Sequence, residues 1–239
     1  GLIRIAVPFF PLEAIQYAPY IAFIGMFSIL WAAYNALAMT DLKKMIAYSS
    51  VSHMGFVTLG LASFTAEGVS GALYQMVSHG FISASLFLIA GVVYEQTHDR
   101  TIHHYKGLAN QMPVYTFVVV ISFFASLGLP GLSGFLGEIL VFLGAFNSSS
   151  IPKWITLLST IGLVLGASYY LWTLQRMFFG KFWVNEKLNV GDLKDLNWEQ
   201  KFCFLPLLVL IVLLGIFPDL LTQFFSSDIK ALLSSVLGR

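Results

Sequence analysis

The sequence has few charged residues and a single cysteine. Asp, Glu, Lys and Arg make up 10% of the 239 residues and the net charge is +1, so the composition indicates neither a nucleic acid nor a strongly acidic partner. Because Cys203 is the one cysteine, the chain cannot form an internal disulfide or supply the thiolates of an iron–sulfur cluster. We expect Cys203 to be a buried thiol.

The first residues also lack the usual features of a protein start. The stretch GLIRIAVPFF has no basic, apolar and small-residue regions in the order of a signal peptide, and methionine does not begin it. We therefore expect the chain to begin partway through a larger protein, with residues 1–9 as the end of a truncated transmembrane helix.

Apolar residues are abundant, at 57% of the chain with 15% aromatic, and the mean hydropathy is +0.80. These values predict an all-α integral membrane protein. A helix needs about 20 mostly apolar residues to cross a bilayer. Charge-free runs of that kind predict spans at 14–40, 45–66, 68–94, 154–175 and 202–218.

The stretch 107–152 is too long for one straight helix and is interrupted by GLPGLSG at 128–134. Either 112–128 and 134–147 are halves of one broken span, or they form a hairpin of two short spans. Positive residues collect in cytoplasmic loops. A broken span gives a split of nine Lys and Arg against four between the two sides, whereas a hairpin gives seven against six. The count favours the broken span and places loops 41–44, 95–106 and 176–201 on the cytoplasmic side.

A Gly/Pro break at membrane depth frees backbone groups that lipid cannot satisfy, so it must be buried in protein or line a wet cavity. Transporters use such breaks at ion sites. The glycines at 128, 131, 134 and 137 lack the strand and the Lys-Ser/Thr of a phosphate-binding loop, so we reject a nucleotide site.

Glu138 is the one charged residue between Lys106 and Lys153, and it follows Gly134 by four residues. A carboxyl at this depth costs several kcal/mol unless it is neutralised, paired or hydrated. The alternative to a functional role is a protonated carboxyl that bonds within a helix interface. Because ionisable residues inside spans usually mark ion pathways, we favour proton handling.

Two histidines lie in neighbouring spans. His79 stands in QMVSHGFISAS and His53 in AYSSVSHMG, and imidazole relays protons readily near neutral pH. Each could instead be a hydrogen-bonding core residue. Neither has a second ligand at i+3 or i+4, so we predict no metal site.

Other polar and aromatic residues have simpler interpretations. We expect the loop histidines at 98, 103 and 104 to be solvated, and Lys43 and Lys44 to extend to the membrane surface. Tyr169, Tyr170 and Trp172 fit packing and interface belts. After Pro218, apolar residues at helical spacing predict an amphipathic helix that lies in the interface or packs on a neighbouring subunit. They are Leu220, Leu221, Phe224, Phe225, Ile229, Leu232, Leu233, Val236 and Leu237.

Four runs of the sequence resemble the M-type subunits of NADH:quinone oxidoreductase, respiratory complex I. They are TDLKKMIAYSSVSHMGF (40–56), LYQMVSHGFISASLFLIAGVVYEQTHDR (73–100), LGLPGLSGFLGEILVFLGAF (127–146) and GIFPD (215–219). Mitochondrial subunit 4 and the D subunit of the photosynthetic complex are relatives of the same kind. The resemblance covers nearly the whole chain.

The resemblance implies an antiporter-like helical bundle with about six spans and a partial one at the N-terminus. Residues 10–180 would form the second five-helix repeat, with the broken helix at 112–147. Residues 181–239 would hold a cytoplasmic-side loop, the last span and the amphipathic helix. The family's glutamate of helix 12 matches Glu138, and its histidines of helices 10 and 11 match His53 and His79. The glutamate of helix 5 and the lysines of helices 7 and 8 have no counterpart here.

The resemblance further implies proton translocation along a buried Glu/His axis, coupled to NADH oxidation elsewhere in the complex. FMN, iron–sulfur clusters and quinone are expected in partner subunits and none in this chain. The expected partners are L-type and N-type antiporter-like subunits and the bilayer. A bacterial inner membrane is the expected location, with the mitochondrial inner membrane or the thylakoid as alternatives. The rival interpretations are a subunit of a multisubunit cation/proton antiporter and a scaffold whose polar residues are idle.

Overall fold

The computed structural model describes residues 1–185 and 193–238, and these residues are mainly helical. A π-helical turn at Leu2–Ala6 leads into the short helix α1 (Val7–Phe9). The membrane-length helices that follow are α2 (Pro11–Ala38), α3 (Leu42–Ala62) and α4 (Ala66–Thr97). The later helices are α5 (Pro113–Ser126), α6 (Ser133–Asn147), α7 (Lys153–Ser159), α8 (Ile161–Thr173), α9 (Trp198–Ile216), α10 (Asp219–Thr222) and α11 (Ser226–Leu237).

Within the described ranges, five helical segments are long and apolar enough to cross a membrane. They confirm the spans predicted from charge-free runs and differ from them by a few residues at the ends. The segment Lys153–Phe178 joins α7, α8 and a π-helical turn. Three helices begin earlier than predicted because side chains cap them. Asp41 accepts a hydrogen bond from Lys44 N, Thr65 accepts one from Gly68 N, and Asn197 accepts one from Gln200 N. The expectation for residues 1–9 stays a prediction, and the structure gives them helical turns.

The α5–α6 pair is one broken span and not a hairpin. Both helices lie along α4. Residue numbers on α5 and α6 rise along the row of contacts while the numbers of their partners on α4 fall. The contacts pair Ile89 with Tyr115, Ser85 with Ser122, Ser78 with Ser133, Gly71 with Val141, and Gly68 with Gly144. An order that runs steadily through the break means that α5 and α6 continue in one direction, antiparallel to α4. A hairpin would reverse the order after the break.

Three loops meet at one end of the bundle, which is the end that the charge count assigned to the cytoplasm. Asp41 pairs with Thr101 in a β-bridge, and strand β1 (Tyr105–Lys106) pairs with β2 (Trp183–Val184). Asp195 accepts hydrogen bonds from the first amides of α5, at Val114 N and Tyr115 N, and so caps that helix. The predicted grouping of these loops on one side is therefore confirmed. The counted Lys187 and Arg239 lie outside the described residues.

Two expectations near the C-terminus need correction. Cys203 is exposed on α9 and not buried, because α9 presents most of its surface outward, as a helix facing lipid or another subunit does. The apolar stripe after Pro218 is not one helix either, since α10 and α11 are separate and Phe224 between them is 73% exposed. α11 packs Ile229, Leu233 and Val236 on this chain's own core, beside Ala18, Phe64 and Val69. The side chain of Leu237 lies outside the described part.

Candidate functional site

Glu138 lies in the first half of α6, beside the break, and its side chain is 7% exposed. The break bends through two glycines with left-handed backbone, Gly128 at φ +76° and Gly131 at φ +92°. The carboxyl group packs directly against the first of them: a methyl group at Gly128 would lie 2.6 Å from Glu138 Oε2. Glycine at 128 therefore serves both the turn and the room that the carboxyl occupies.

His53 of α3 is the nearest ionisable partner of Glu138. Its Nδ1 lies 3.3 Å from Glu138 Oε1, and the two side chains are 6% and 7% exposed. The distance suits an ion pair, yet the atoms lack the alignment of a hydrogen bond and Nδ1 has no hydrogen-bond partner. We treat the contact as an electrostatic one that is short enough for proton exchange after a small rotation, since such bonds are often long at rest.

His79 of α4 completes the predicted trio. Its ring centroid lies 5.2 Å from that of His53, and the residue is 8% exposed. The structure thus brings His53, His79 and Glu138 together from three helices. The order of contact is Glu138 to His53 to His79, so His53 is the central member.

A row of hydroxyl groups continues from the other side of His53. His53 Nε2 lies 3.1 Å from Ser126 Oγ at the end of α5. Ser126 bonds to the hydroxyl of Tyr170 at 2.6 Å, and Tyr170 bonds to Ser49 Oγ at 2.9 Å. Ser126, Tyr170 and Ser49 are all at most 2% exposed. We expected Tyr170 to pack in the core or to lie in an interface belt, and its ring is indeed buried in the core. Its hydroxyl group, in addition, is part of the site.

More buried polar groups line the contact between α4 and the broken span. Ser78 donates to Ser133 at 2.8 Å, and Ser85 bonds Ser122 at 2.7 Å. Gln75 lies against the backbone of Gly137, and its Oε1 has no hydrogen-bond partner. A buried polar atom without a partner is costly. The Oε1 of Gln75 is therefore a free hydrogen-bond acceptor for a water molecule in this interface.

The loop histidines were expected to be solvated. Those at 98 and 103 are exposed, and the third is partly exposed and also paired with an acid. His104 Nδ1 lies 2.6 Å from Asp99 Oδ2, with the side chains 37% and 20% exposed, and Thr101 Oγ1 donates to Asp99 Oδ1. Burial alone would raise the pKa of the Asp99 carboxyl, but the hydrogen bonds from His104 and Thr101 outweigh it and hold the pKa below its usual value. The missed signal was the H-D-R-T-I-H-H spacing, which puts acid and imidazole on one tight loop.

The chain was compared with known proteins. The sequence profile described as "NADH:quinone oxidoreductase/Mrp antiporter, TM" matches residues 1–167. The chain belongs to this family. The NADH-quinone oxidoreductase subunit M of Rhodobacter capsulatus is 40% identical over 235 residues, which are 98% of this chain and 45% of that protein.

Solved structures show the same fold for this family member. A chain of the respiratory complex I from Thermus thermophilus with bound NADH has a TM-score of 0.89 and 34% identity, over 98% of this chain and 48% of the other. A chain of the Mrp complex from Dietzia sp. DQ12-45-1b has a TM-score of 0.82 at 17% identity, over 93% of this chain and 50% of the other, and that likeness concerns the fold alone. The antiporter-like, all-α membrane fold is thereby confirmed. The chain spans about half the length of the relatives that it matches.

Proposed function

We propose that the protein is part of a proton-translocating membrane-arm subunit of an NADH:quinone oxidoreductase, with Glu138, His53 and His79 as its proton pathway. The observation that carries the proposal is the contact between Glu138 Oε1 and His53 Nδ1, at 3.3 Å and with both side chains almost fully buried. Two ionisable groups at this depth are expensive without a role. A shared role in one proton pathway explains why both groups are present despite this cost.

The chemistry follows from the groups present. A carboxylate accepts a proton and an imidazole both accepts and donates one, so the pair can take up a proton on one side and release it on another. His79 extends the pathway toward α4, and the break in the α5–α6 span gives Glu138 the room to change partners. FMN, iron–sulfur clusters and quinone belong, in this proposal, to partner subunits. For the clusters the reason is that one cysteine supplies too few thiolates to hold them. The proposed partners include L-type and N-type antiporter-like subunits.

The test is NADH-driven proton pumping by the intact complex in sealed vesicles, with Glu138→Gln. The amide has nearly the same shape but neither ionises nor carries protons. We expect proton pumping per NADH oxidised to fall to a small fraction of wild type.

The matched control is Glu67→Gln, which makes the same chemical change at an exposed carboxyl in the first turn of α4. It should pump as wild type does. Unchanged pumping by a fully assembled Glu138→Gln complex would remove Glu138 from the pathway.

The fold shared with the Mrp complex chain keeps a cation/proton antiporter as a second candidate. Sodium-dependent proton movement in vesicles with no NADH-oxidising activity would favour it. Glutamate at 138, paired with His53, favours proton transfer within this chain in either case.

A further inference from the structure

The row of hydroxyl groups Ser126, Tyr170 and Ser49 ends, at the side away from His53, on a backbone carbonyl oxygen that can only accept a hydrogen bond. Ser49 Oγ lies 2.7 Å from the backbone oxygen of Ile46. A carbonyl oxygen carries no hydrogen, so the one hydroxyl hydrogen of Ser49 points to it. Toward any other neighbour, Ser49 Oγ is therefore an acceptor.

This constraint sets the direction of each further bond. Tyr170 lies 2.9 Å from Ser49 Oγ and must donate to it, which uses the one hydrogen of Tyr170. Ser126, at 2.6 Å from the Tyr170 hydroxyl, must then donate to Tyr170. Its own hydrogen is thereby used as well.

The last contact of the row is the one with His53. Ser126 Oγ has no hydrogen left to donate, so His53 Nε2, at 3.1 Å, must carry a hydrogen and donate it to Ser126. We infer that Tyr170, acting through Ser126, holds a proton on His53 Nε2 and confines the exchangeable proton of the site to the space between His53 Nδ1 and Glu138. Tyr170 is in this sense a positioning residue, since it touches neither Glu138 nor the imidazole.

The consequence falls on the other nitrogen. A neutral imidazole with a proton on Nε2 has a bare Nδ1, which lies 3.3 Å from Glu138 Oε1. A bare Nδ1 and an ionised carboxylate are both acceptors, so a hydrogen bond between the two groups requires a proton on Glu138 or on Nδ1.

The hydroxyl row is not itself a route for protons. A proton that entered at Ser126 would reach Ile46 O, where an amide carbonyl is too weak a base to take it, or Tyr169, which is 1% exposed. The row ends there, fully buried. Its role is to orient His53, as second-sphere hydrogen bonds orient imidazole in other sites.

Two other titratable side chains face this cluster. His79 lies beside His53 with ring centroids 5.2 Å apart, and Tyr169 lies beside Tyr170 with centroids 4.6 Å apart and close to Ser49. The Tyr169 hydroxyl is within hydrogen-bonding reach of both Ser49 and the Tyr170 hydroxyl. Since Ser49 donates to Ile46 O and Tyr170 donates to Ser49, Tyr169 can only be a donor to either of them, and the direction of the row is unchanged. The inference deepens the proposed function, and its bearing on transport rests on that function.

The test is ¹⁵N nuclear magnetic resonance of the intact complex labelled at histidine, with the His53 signals assigned by their loss in His53→Gln. In wild type we expect the His53 signals of a protonated Nε2. Ser49→Ala and Tyr170→Phe each remove the constraint, and either should give a signal of a protonated Nδ1 with a bare Nε2. Ser49→Ala is the sharper variant, because Ser49 is two hydrogen bonds away from Ser126.

The matched control is Tyr115→Phe, which removes another fully buried tyrosine hydroxyl, bonded to Ile89 O at 2.8 Å and outside the row. It should leave the His53 signals as in wild type. A bare Nε2 in wild type, or wild-type signals in both Ser49→Ala and Tyr170→Phe, would overturn the inference. The signals report proton position and not transport, so normal pumping by Glu138→Gln would reject the proposed function separately.

Discussion

At the scale of single residues, the site depends on how little each ionisable group is exposed and on which partner it has. Glu138 touches His53, while His79 reaches the carboxyl only through the His53 ring. The two histidines therefore make unequal contacts with the carboxyl, although sequence spacing alone treats them alike.

This inequality can be measured by proton pumping per NADH oxidised in the intact complex. We expect His53→Gln to lower it by about tenfold or more, as the loss of a positioned acid–base group does. His79→Gln should lower it less, because Glu138 and His53 still meet. A larger loss in His79→Gln than in His53→Gln would contradict the order of contacts.

The sequence identified Glu138, His53 and His79 because each is an ionisable residue in an apolar run, which is rare. It did not identify Ser49, Ser126 and Tyr170. Serine and tyrosine are common in membrane helices, and their partners here stand 44 and 121 residues apart in the chain. No local pattern indicates such bonds, so the coordinates were needed to find them.

At the scale of elements, the break between α5 and α6 is the feature that makes room for the carboxyl. Gly128 and Gly131 both have left-handed backbone, but a methyl group at 128 would contact Glu138, whereas at 131 nothing lies within 4 Å. An alanine at either position strains the backbone, but only an alanine at 128 also displaces the carboxyl group. Comparing the two variants therefore separates the two effects.

We expect Gly128→Ala to lower proton pumping per NADH, because the new methyl group displaces Glu138 from its place beside the turn. Gly131→Ala should cost a similar backbone strain of about 1–2 kcal/mol and leave the pumping ratio of the assembled complex unchanged. Thermal unfolding checks the shared strain, and vesicle assays check the pumping. Equal pumping defects in the two variants would show that strain alone is responsible.

The loop at the end of α4 adds a pH-dependent element outside the membrane. The pKa of Asp99 is lowered by its bonds to His104 and Thr101, so the folded state binds its proton less readily than the unfolded state does. The resulting stability is present above the unfolded value, about 3.9, and is lost as the pH falls through the lower folded value.

Thermal unfolding of the purified protein between neutral pH and about pH 3 should therefore show a fall in stability below about pH 4. Asp99→Asn should be less stable at neutral pH and should lose part of this fall. Glu67→Gln, at an exposed carboxyl, serves as the control. An Asp99→Asn variant with the same pH dependence as the wild type would exclude the loop as its source.

At the scale of the whole molecule, charge and length sufficed to predict most of the architecture. The basic loops meet at one end, and the broken span runs along α4 in one direction, as the count of Lys and Arg indicated. Prediction was wrong where partners decide the outcome: Cys203 is exposed, and the stripe after Pro218 is divided between α10 and α11. Amphipathicity shows that a face is apolar but does not say what covers it.

The site is also a property of the whole bundle, since its ionisable groups come from α3, α4 and α6, and the hydroxyl groups behind His53 come from α3, α5 and α8. Groups that act in one pathway give losses that do not add. The double variant of Glu138 and His53 therefore tests the central claim more directly than either single change.

The measurement is the ratio of protons pumped to NADH oxidised in the intact complex, for Glu138→Gln, His53→Gln and the two combined. If Glu138 and His53 act as one unit, the double variant will be no more impaired than the worse of the singles. A double variant whose loss equals the product of the two single losses, or singles that pump as wild type does, would contradict the account.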